Sequence, residues 1–361
     1  MAVVKSFAVG DGDMFYIRHN SGNFTIIDCQ LLGGEEDKQL IVNELLQESA
    51  DKGIKRFIST HPDEDHVAGI EYLDEQIPIS NFYVVNNDAT KPDESASFKH
   101  YRQLRDGDRA YCVSKGCKRR WMNVSDNIRD TAGIQILWPD RSNEHFQAAL
   151  QDAADGAAFN NISLVARYST SGASFMWIGD LETQFMEDIS DDISLPETTV
   201  VFAPHHGRKS GKLPDTWLDK LKPKIIVIGQ AASRHLHYYT DYHRITQATA
   251  GDITFVVGGK KVHCYVSNEN YGMRKWLENE AMSDRECYIG TLNCNGKVAA
   301  GCVILEGPID SFAFGDVATA KARSRTLDAS GFQSAQSMKQ ICGAGPWLLK
   351  SCPFRRRARR R

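Results

Sequence analysis

Six residues, His61-Pro62-Asp63-Glu64-Asp65-His66, put four potential metal ligands (His61, Asp63, Asp65 and His66) within one short stretch, just after the apolar pair Phe57-Ile58 and Ser59-Thr60. Imidazole nitrogen and carboxylate oxygen are the ligands proteins offer to Zn²⁺, Mn²⁺ or Fe, and a strand-to-loop junction lets them converge. A solvated acidic turn capping the helix that begins near Val67 is the plainer alternative. Three later segments carry the same kinds of group at expected strand ends. Trp177-Ile-Gly-Asp180 sets a carboxylate beyond a strand with a glycine allowing close backbone approach, while Ala203-Pro-His205-His206-Gly207 and Arg234-His235-Leu-His237 each offer two imidazoles. Each pair taken singly is equally compatible with surface or core histidines. No nucleophile-elbow or Cys-His signature accompanies them, which disfavours covalent catalysis by serine or cysteine.

The elements that must position these groups alternate between strand and helix. Val3–Val9, Phe15–Ile17 and Phe24–Ile27 read as a short-stranded meander broken at Gly10-Asp-Gly-Asp13, and Asp37–Ser49 carries Leu40, Ile41, Leu45 and Leu46 at helical spacing. Strands are expected at Arg56–Ser59, Phe82–Val85, Gly133–Trp138, Ser163–Tyr168, Ser174–Ile178, Thr199–Ala203, Lys224–Ile228 and Ile253–Val257. Helices are expected at Ser95–Leu104, from Glu182 and from Leu213. Mixed strands with intervening helices indicate sheets covered by helices. Between Asp108 and Thr131 the periodicity is lost, so residues 109–131 read as an inserted basic loop, with Lys118, Arg119 and Arg120 beside Trp121 either touching phosphates or simply solvated. Residues 286–305 read as a final hairpin. The domain is expected to span residues 1–309, with 310–361 a tail that is either mobile or foreign to the domain.

Composition bounds the rest. The 361 residues are 42% hydrophobic and 25% charged, with no apolar run of the roughly 18 residues that span a bilayer and no leader-like N-terminus, so a cytoplasmic location is the expectation. Nine cysteines, odd in number and scattered, suit reduced thiols; only the pair Cys112 and Cys117 is close, without a second pair to complete a structural metal site. The net charge of −3 includes six arginines between Arg355 and Arg361, and the body they leave behind is acidic, a mild argument against a long nucleic-acid-binding surface.

Taken in order, Val9-Gly-Asp-Gly-Asp13, Ile26-Ile-Asp28, Thr60-His-Pro-Asp-Glu-Asp-His-Val-Ala-Gly69, Asn160-Asn-Ile-Ser-Leu-Val165, Ile178-Gly-Asp180 and Pro204-His-His-Gly207 resemble the metallo-β-lactamase superfamily, and within it the hydrolase domain of ComEC-type DNA-uptake proteins, over about residues 3 to 265. The resemblance implies a four-layer αββα sandwich with two divalent metal ions, Zn or Mn, at one edge between the sheets. It assigns His61, Asp63 and His205 to one metal and Asp65, His66 and His237 to the other, with Asp180 bridging; His235 is the alternative to His237, since the chain departs here from the relatives' Arg-Tyr-Gly-His-Pro. Asp63 stands where most of the superfamily has histidine, and an oxygen donor there shifts preference toward harder ions such as Mn²⁺. Asp28 is expected to buttress the metal loop without ligating, Asp13 to approach the site or serve its turn, Asn161 and Ser163 to bond substrate oxygen or fix the strand start, and His206 to donate a proton to the leaving group.

The implied reaction is hydrolysis by a metal-bound hydroxide, in which Asp65, Asp180 and His206 carry the chemistry and a phosphodiester, in nucleic acid or a nucleotide, is the substrate. A carbonyl substrate (lactam, lactone or thioester) and a non-catalytic binding module are the competing readings.

Overall fold

The computed structural model describes residues 1–294, apart from 126–128, 232–234, 236, 284 and 286. The chain divides into units Met1–Val303 and Ile304–Arg361, so the tail, its arginine-rich end and the second strand of the expected final hairpin lie outside the described residues.

Among the described residues, fifteen strands form two sheets. The first half supplies β1 (Ala2–Ser6), β2 (Phe15–Arg18), β3 (Asn23–Ile27), β4 (Ile54–Ile58), β5 (Phe82–Val85) and β6 (Ala110–Val113). The second supplies β7 (Ile134–Trp138), β8 (Val165–Ser169), β9 (Ser174–Trp177), β10 (Val200–Phe202), β11 (Ile225–Ile228) and β12 (Arg244–Thr246), then β13 (Ile253–Gly258), β14 (Lys261–Val266) and β15 (Tyr288–Asn293). The larger sheet runs β15-β14-β13-β1-β2-β3-β4-β5-β6 and the smaller β12-β11-β10-β9-β8-β7. The halves repeat one logic. β1, β2 and β3 pair antiparallel and β3 to β6 parallel; β7, β8 and β9 pair antiparallel and β9 to β12 parallel.

Parallel strands need crossovers, and helices supply them: α1 (Glu35–Ser49), α2 (Glu64–Val67), α3 (Ile70–Gln76) and α4 (Ala96–Arg105) in the larger sheet, α6 (Thr183–Asp188) and α7 (Asp215–Leu221) in the smaller, while α5 (Glu144–Ala154) joins the antiparallel β7 and β8 and α8 (Gln247–Ala250) links β12 to β13. Caps start two of them where propensity alone would not, Ser95 accepting from the Phe98 N–H and Asn143 from that of Phe146. The sheets face each other through aromatic rings. Phe15 of β2 lies 4.8 Å from Phe202 and 6.0 Å from Trp177, centroid to centroid, and Phe175 lies 5.7 Å from Phe255. Each such buried ring contributes on the order of 2 to 3 kcal/mol of transfer free energy. With helices outside, β1, β3, β5, β10 and β11 are buried along both faces, which explains their unbroken apolar runs. The result is the αββα sandwich.

Differences from the expectation are local. The segment 109–131 opens with a strand, β6, pairing parallel with β5 at the edge of the larger sheet; only one of its four residues is buried, so it carries no apolar alternation to detect. Among the described residues no helix is long and apolar enough to cross a membrane.

Candidate metal centre

The groups singled out in the sequence sit at the carboxyl ends of parallel strands in both sheets, where chains leaving neighbouring strands can converge. Asp28 follows β3 and the His61–His66 loop follows β4; Asp180 follows β9 and His205-His206 follow β10.

The β4 loop is organised by Asp28. This fully buried carboxylate, in a left-handed backbone conformation (φ 55°), accepts hydrogen bonds from the Thr60 N–H (2.7 Å) and hydroxyl (2.6 Å) and lies 2.9 Å from His66 Nδ1. Burial pushes the Asp28 carboxyl up, against the opposing pull of His66 and Thr60. With Nδ1 thus occupied, His66 directs Nε2 into the cleft. On the other sheet, Gly179 takes φ +59°, and a Cβ there would stand 2.7 Å from Ser163 Oγ and 3.1 Å from Thr60 Cβ. The Ser163 hydroxyl accepts from the Asp180 N–H (3.0 Å), and the Asn161 amide pairs with Glu182, accepting from its N–H and donating to its carboxylate. Asn161 and Ser163 therefore fix the turn that carries Asp180. Two backbone bonds tie the loops together, Leu164 N–H to Thr60 O (3.0 Å) and His205 N–H to Gly179 O (3.1 Å).

His205 and His206 both have left-handed φ, 50° and 57°, a conformation costly for residues with a Cβ and concentrated at functional sites. It turns their rings 81° apart. His206 points inward, with Nε2 3.1 Å from Asp65 Oδ2 and 3.4 Å from Asp180 Oδ2, and Nδ1 3.2 Å from Asp13 Oδ1. Asp13, His66, Asp180 and His206 each offer one ligand atom to a group whose members all lie within 4.8 Å of one another.

The donor set fits a divalent cation. His66 Nε2 and Asp180 Oδ1 are 3.1 Å apart and buried, yet neither has a hydrogen-bond partner, and buried His61 Nε2 has none either. Polar atoms aimed at a common point without bonding one another are what a cation requires, since unpaired burial otherwise costs 1 to 3 kcal/mol or so per group. Without a cation the carboxylates draw protons onto the imidazoles. Burial alone would lower His66 and His206, but Asp180 with Asp28 in the one case, and Asp13 with Asp180 in the other, hold them well above the usual histidine range. Burial likewise opposes ionisation of Asp180 and Asp65, and is outweighed by His66 and His206; Asp180 is held well below the carboxylate range and Asp65 falls to about 2.

Of the seven expected ligands, His66 and Asp180 lie in this four-residue group, and Asp65 borders it through His206. The imidazole that joins them is His206, expected as the proton donor, while His205 stands at the rim, 3.7 Å from Asp180 with Nδ1 3.0 Å from Ser210 Oγ. His61 is buried with its ring 4.1 Å from that of His66, and burial together with the His66 charge lowers its pKa to about 4. Asp63 lies outside the four-residue group: its side chain is 38% exposed, accepts from the Glu64 N–H (2.9 Å) as the cap of α2, and pairs with Lys91 at 3.2 Å. His237 is exposed against Tyr238, and His235 Nδ1 lies 3.1 Å from the Tyr238 hydroxyl; neither is in the group, and the neighbouring Arg234 and Leu236 lie outside the described residues. Asp13 enters as a potential ligand that the sequence left between turn and site.

A family model described as the metallo-β-lactamase superfamily matches residues 8–126. ComE operon protein 3 of Bacillus subtilis (strain 168) is 25% identical over 199 residues, covering 54% of this chain and 22% of that protein, so this chain spans less than a quarter of that relative's length. Among solved structures, CmlA, a diiron β-hydroxylase from Streptomyces venezuelae, aligns over 63% of this chain and 44% of its own at 15% identity, with a TM-score of 0.33 that is too low to carry an argument.

Proposed function

We propose that this chain, which belongs to the metallo-β-lactamase superfamily, is a metal-dependent hydrolase that cleaves phosphodiesters in nucleic acid or nucleotides. The observation that carries the reading is the mixed donor set: the Asp65 and Asp180 carboxylates meet two inward imidazoles, His66 and His206, with Asp13 behind His206 and no thiolate among the described residues of the cluster. Such a set suits Mn²⁺ as well as Zn²⁺. A divalent ion bound by Asp65, His66, Asp180 and His206 would acidify water and offset charge developing on phosphoryl oxygens.

The chain's own groups complete the reaction. Asp28, through His66 Nδ1, and Ser163, through the Asp180 N–H, hold the donors in place before substrate arrives. Burial lowers the His205 imidazole, leaving it neutral at pH 7 and able to take a proton at Nε2 from the attacking water. Arg208 and Lys209 directly follow the His205–Gly207 turn, so basic side chains border the loop that carries both histidines.

Metal-depleted protein reloaded with Mn²⁺ or Zn²⁺ should hydrolyse bis-p-nitrophenyl phosphate, and linear DNA or cyclic dinucleotides should compete. Asp65→Ala and Asp180→Ala should both be inactive. Turnover of nitrocefin without phosphodiester cleavage would instead select the carbonyl substrate, and silence with every metal would overturn the enzyme reading.

A further inference from the structure

Two imidazoles enter the metal cluster, and both have a carboxylate behind them. His66 Nδ1 has Asp28 at 2.9 Å, and His206 Nδ1 has Asp13 at 3.2 Å. We infer that Asp13 is a positioning residue that sets the ring of His206 for metal binding, as Asp28 sets His66. The chemistry is specific: an Nδ1–H donated to a carboxylate fixes the tautomer and leaves the Nε2 lone pair for a cation.

The local backbone is built for this contact. Asp13 lies on the loop between β1 and β2, and its N–H donates to the Asp65 carbonyl (3.2 Å), so the loop is clamped to the segment carrying Asp65 and His66. Gly12 makes the approach possible, because a Cβ there would overlap the Gln30 side chain and the Asp65 carbonyl. On the same loop, Asp11 lies 3.6 Å from Arg208, two residues beyond His206. Only 14% of the Asp13 side chain is exposed, and the His206 side chain is fully buried. Its backbone lies against Gly229, where a Cβ would come within 3.1 Å of the His206 Cα. The ring therefore has little freedom except rotation about its own bonds, and that rotation is what a carboxylate at Nδ1 arrests.

The inference rests on the metal-hydrolase reading, and zinc titration separates the two. Calorimetry of metal-depleted wild type, Asp13→Asn and Asp13→Ala should give one stoichiometry for all three. Asp13→Ala should bind Zn²⁺ about 10 to 100-fold more weakly, and Asp13→Asn, whose carbonyl oxygen still accepts from Nδ1–H, should lie within a few-fold of wild type. Histidine ¹H–¹⁵N spectra of the zinc-loaded protein should show His206 protonated at Nδ1 in wild type and Asp13→Asn, and a changed His206 signal in Asp13→Ala. Unchanged affinity and spectrum in Asp13→Ala would overturn the inference alone. Loss of a bound zinc in both variants, as in Asp65→Ala, would make Asp13 a ligand and overturn it too. A wild type that binds no zinc would overturn the hydrolase reading with it.

Discussion

Asp180 Oδ1 and His66 Nε2 stand 3.1 Å apart in the interior, contributed by different sheets, and neither completes a hydrogen bond. This juxtaposition is maintained by Ser163 on one side and Asp28 on the other, and a cation held by both Asp180 and His66 would link the sheets. Zn²⁺ or Mn²⁺ at about a hundredfold excess over its Kd should thus stabilise the wild type by about 2.7 kcal/mol. Differential scanning calorimetry should record a rise of several degrees. Asp180→Ala should abolish that rise, and an equal rise in the variant would refute a site built on Asp180.

Metal loading should release protons. In the metal-free protein His66 and His206 are held well above the ordinary histidine value, so both carry protons at neutral pH. Their contribution to metal-free stability is fully present below the unfolded value of about 6.5 and is lost as pH rises through the higher folded values. A cation binds only the deprotonated rings, so the metal-induced stabilisation should grow with pH across that same window. Calorimetric titration in buffers of different ionisation enthalpy measures the protons released; a buffer-independent heat would rule the coupling out.

Asp63 separates capping from ligation. Its carboxylate caps α2 and pairs with Lys91. Asp63→Asn keeps an N-cap acceptor and should leave stability and metal stoichiometry unchanged, whereas Asp63→Ala should cost about 1 kcal/mol of unfolding free energy. Loss of a bound metal in Asp63→Asn, measured by mass spectrometry, would return Asp63 to the ligand set.

Much of the fold was legible because its strands are short apolar runs punctuated by glycine and acidic turns. The elements around Phe24–Ile27, Phe82–Val85 and Ile225–Ile228 lie where their composition put them. β6 escaped because an edge strand has little burial to encode, and α5 because its start depends on the Asn143 cap more than on apolar spacing. At the site, the residue types marked the segments that converge, but which ring of His205-His206 turns inward depends on two left-handed backbone conformations that spacing does not reveal. Asp63 shows the opposite limit: a motif position fixes where a residue sits along the chain, while a nearby lysine decides where its carboxylate goes.

Gly179 tests how tightly the backbone holds Asp180. At φ +59°, with Ser163 Oγ 2.7 Å from the position of a Cβ, alanine is strained both by its backbone and by contact. Gly179→Ala should destabilise by roughly 1 to 3 kcal/mol and displace Asp180 from its hydrogen bond with Ser163. Metal affinity should fall as well. Denaturant unfolding together with zinc titration checks both effects, and an unaltered affinity would mean that the turn does not position the carboxylate.

A last prediction concerns His19, which follows β2 of the larger sheet and packs against β8 of the smaller one. His19 is buried with Nε2 2.8 Å from Thr25 Oγ1 and its ring edge-on to Tyr168. Burial, reinforced by the Arg56 charge, holds its pKa well below the ordinary histidine value, so it stays neutral in the folded protein. The unfolded chain takes up the proton near pH 6.5, and the folded chain does so only at much lower pH. Stability should therefore decline as pH falls below about 6.5, by up to about 1.4 kcal/mol per pH unit from this one group. His19→Gln removes the titrating ring while leaving an amide to meet Thr25. Its unfolding free energy should be lower than wild type at pH 8 but flatter between pH 6.5 and 5, and an undiminished slope in urea titrations over that range would assign acid sensitivity to other groups.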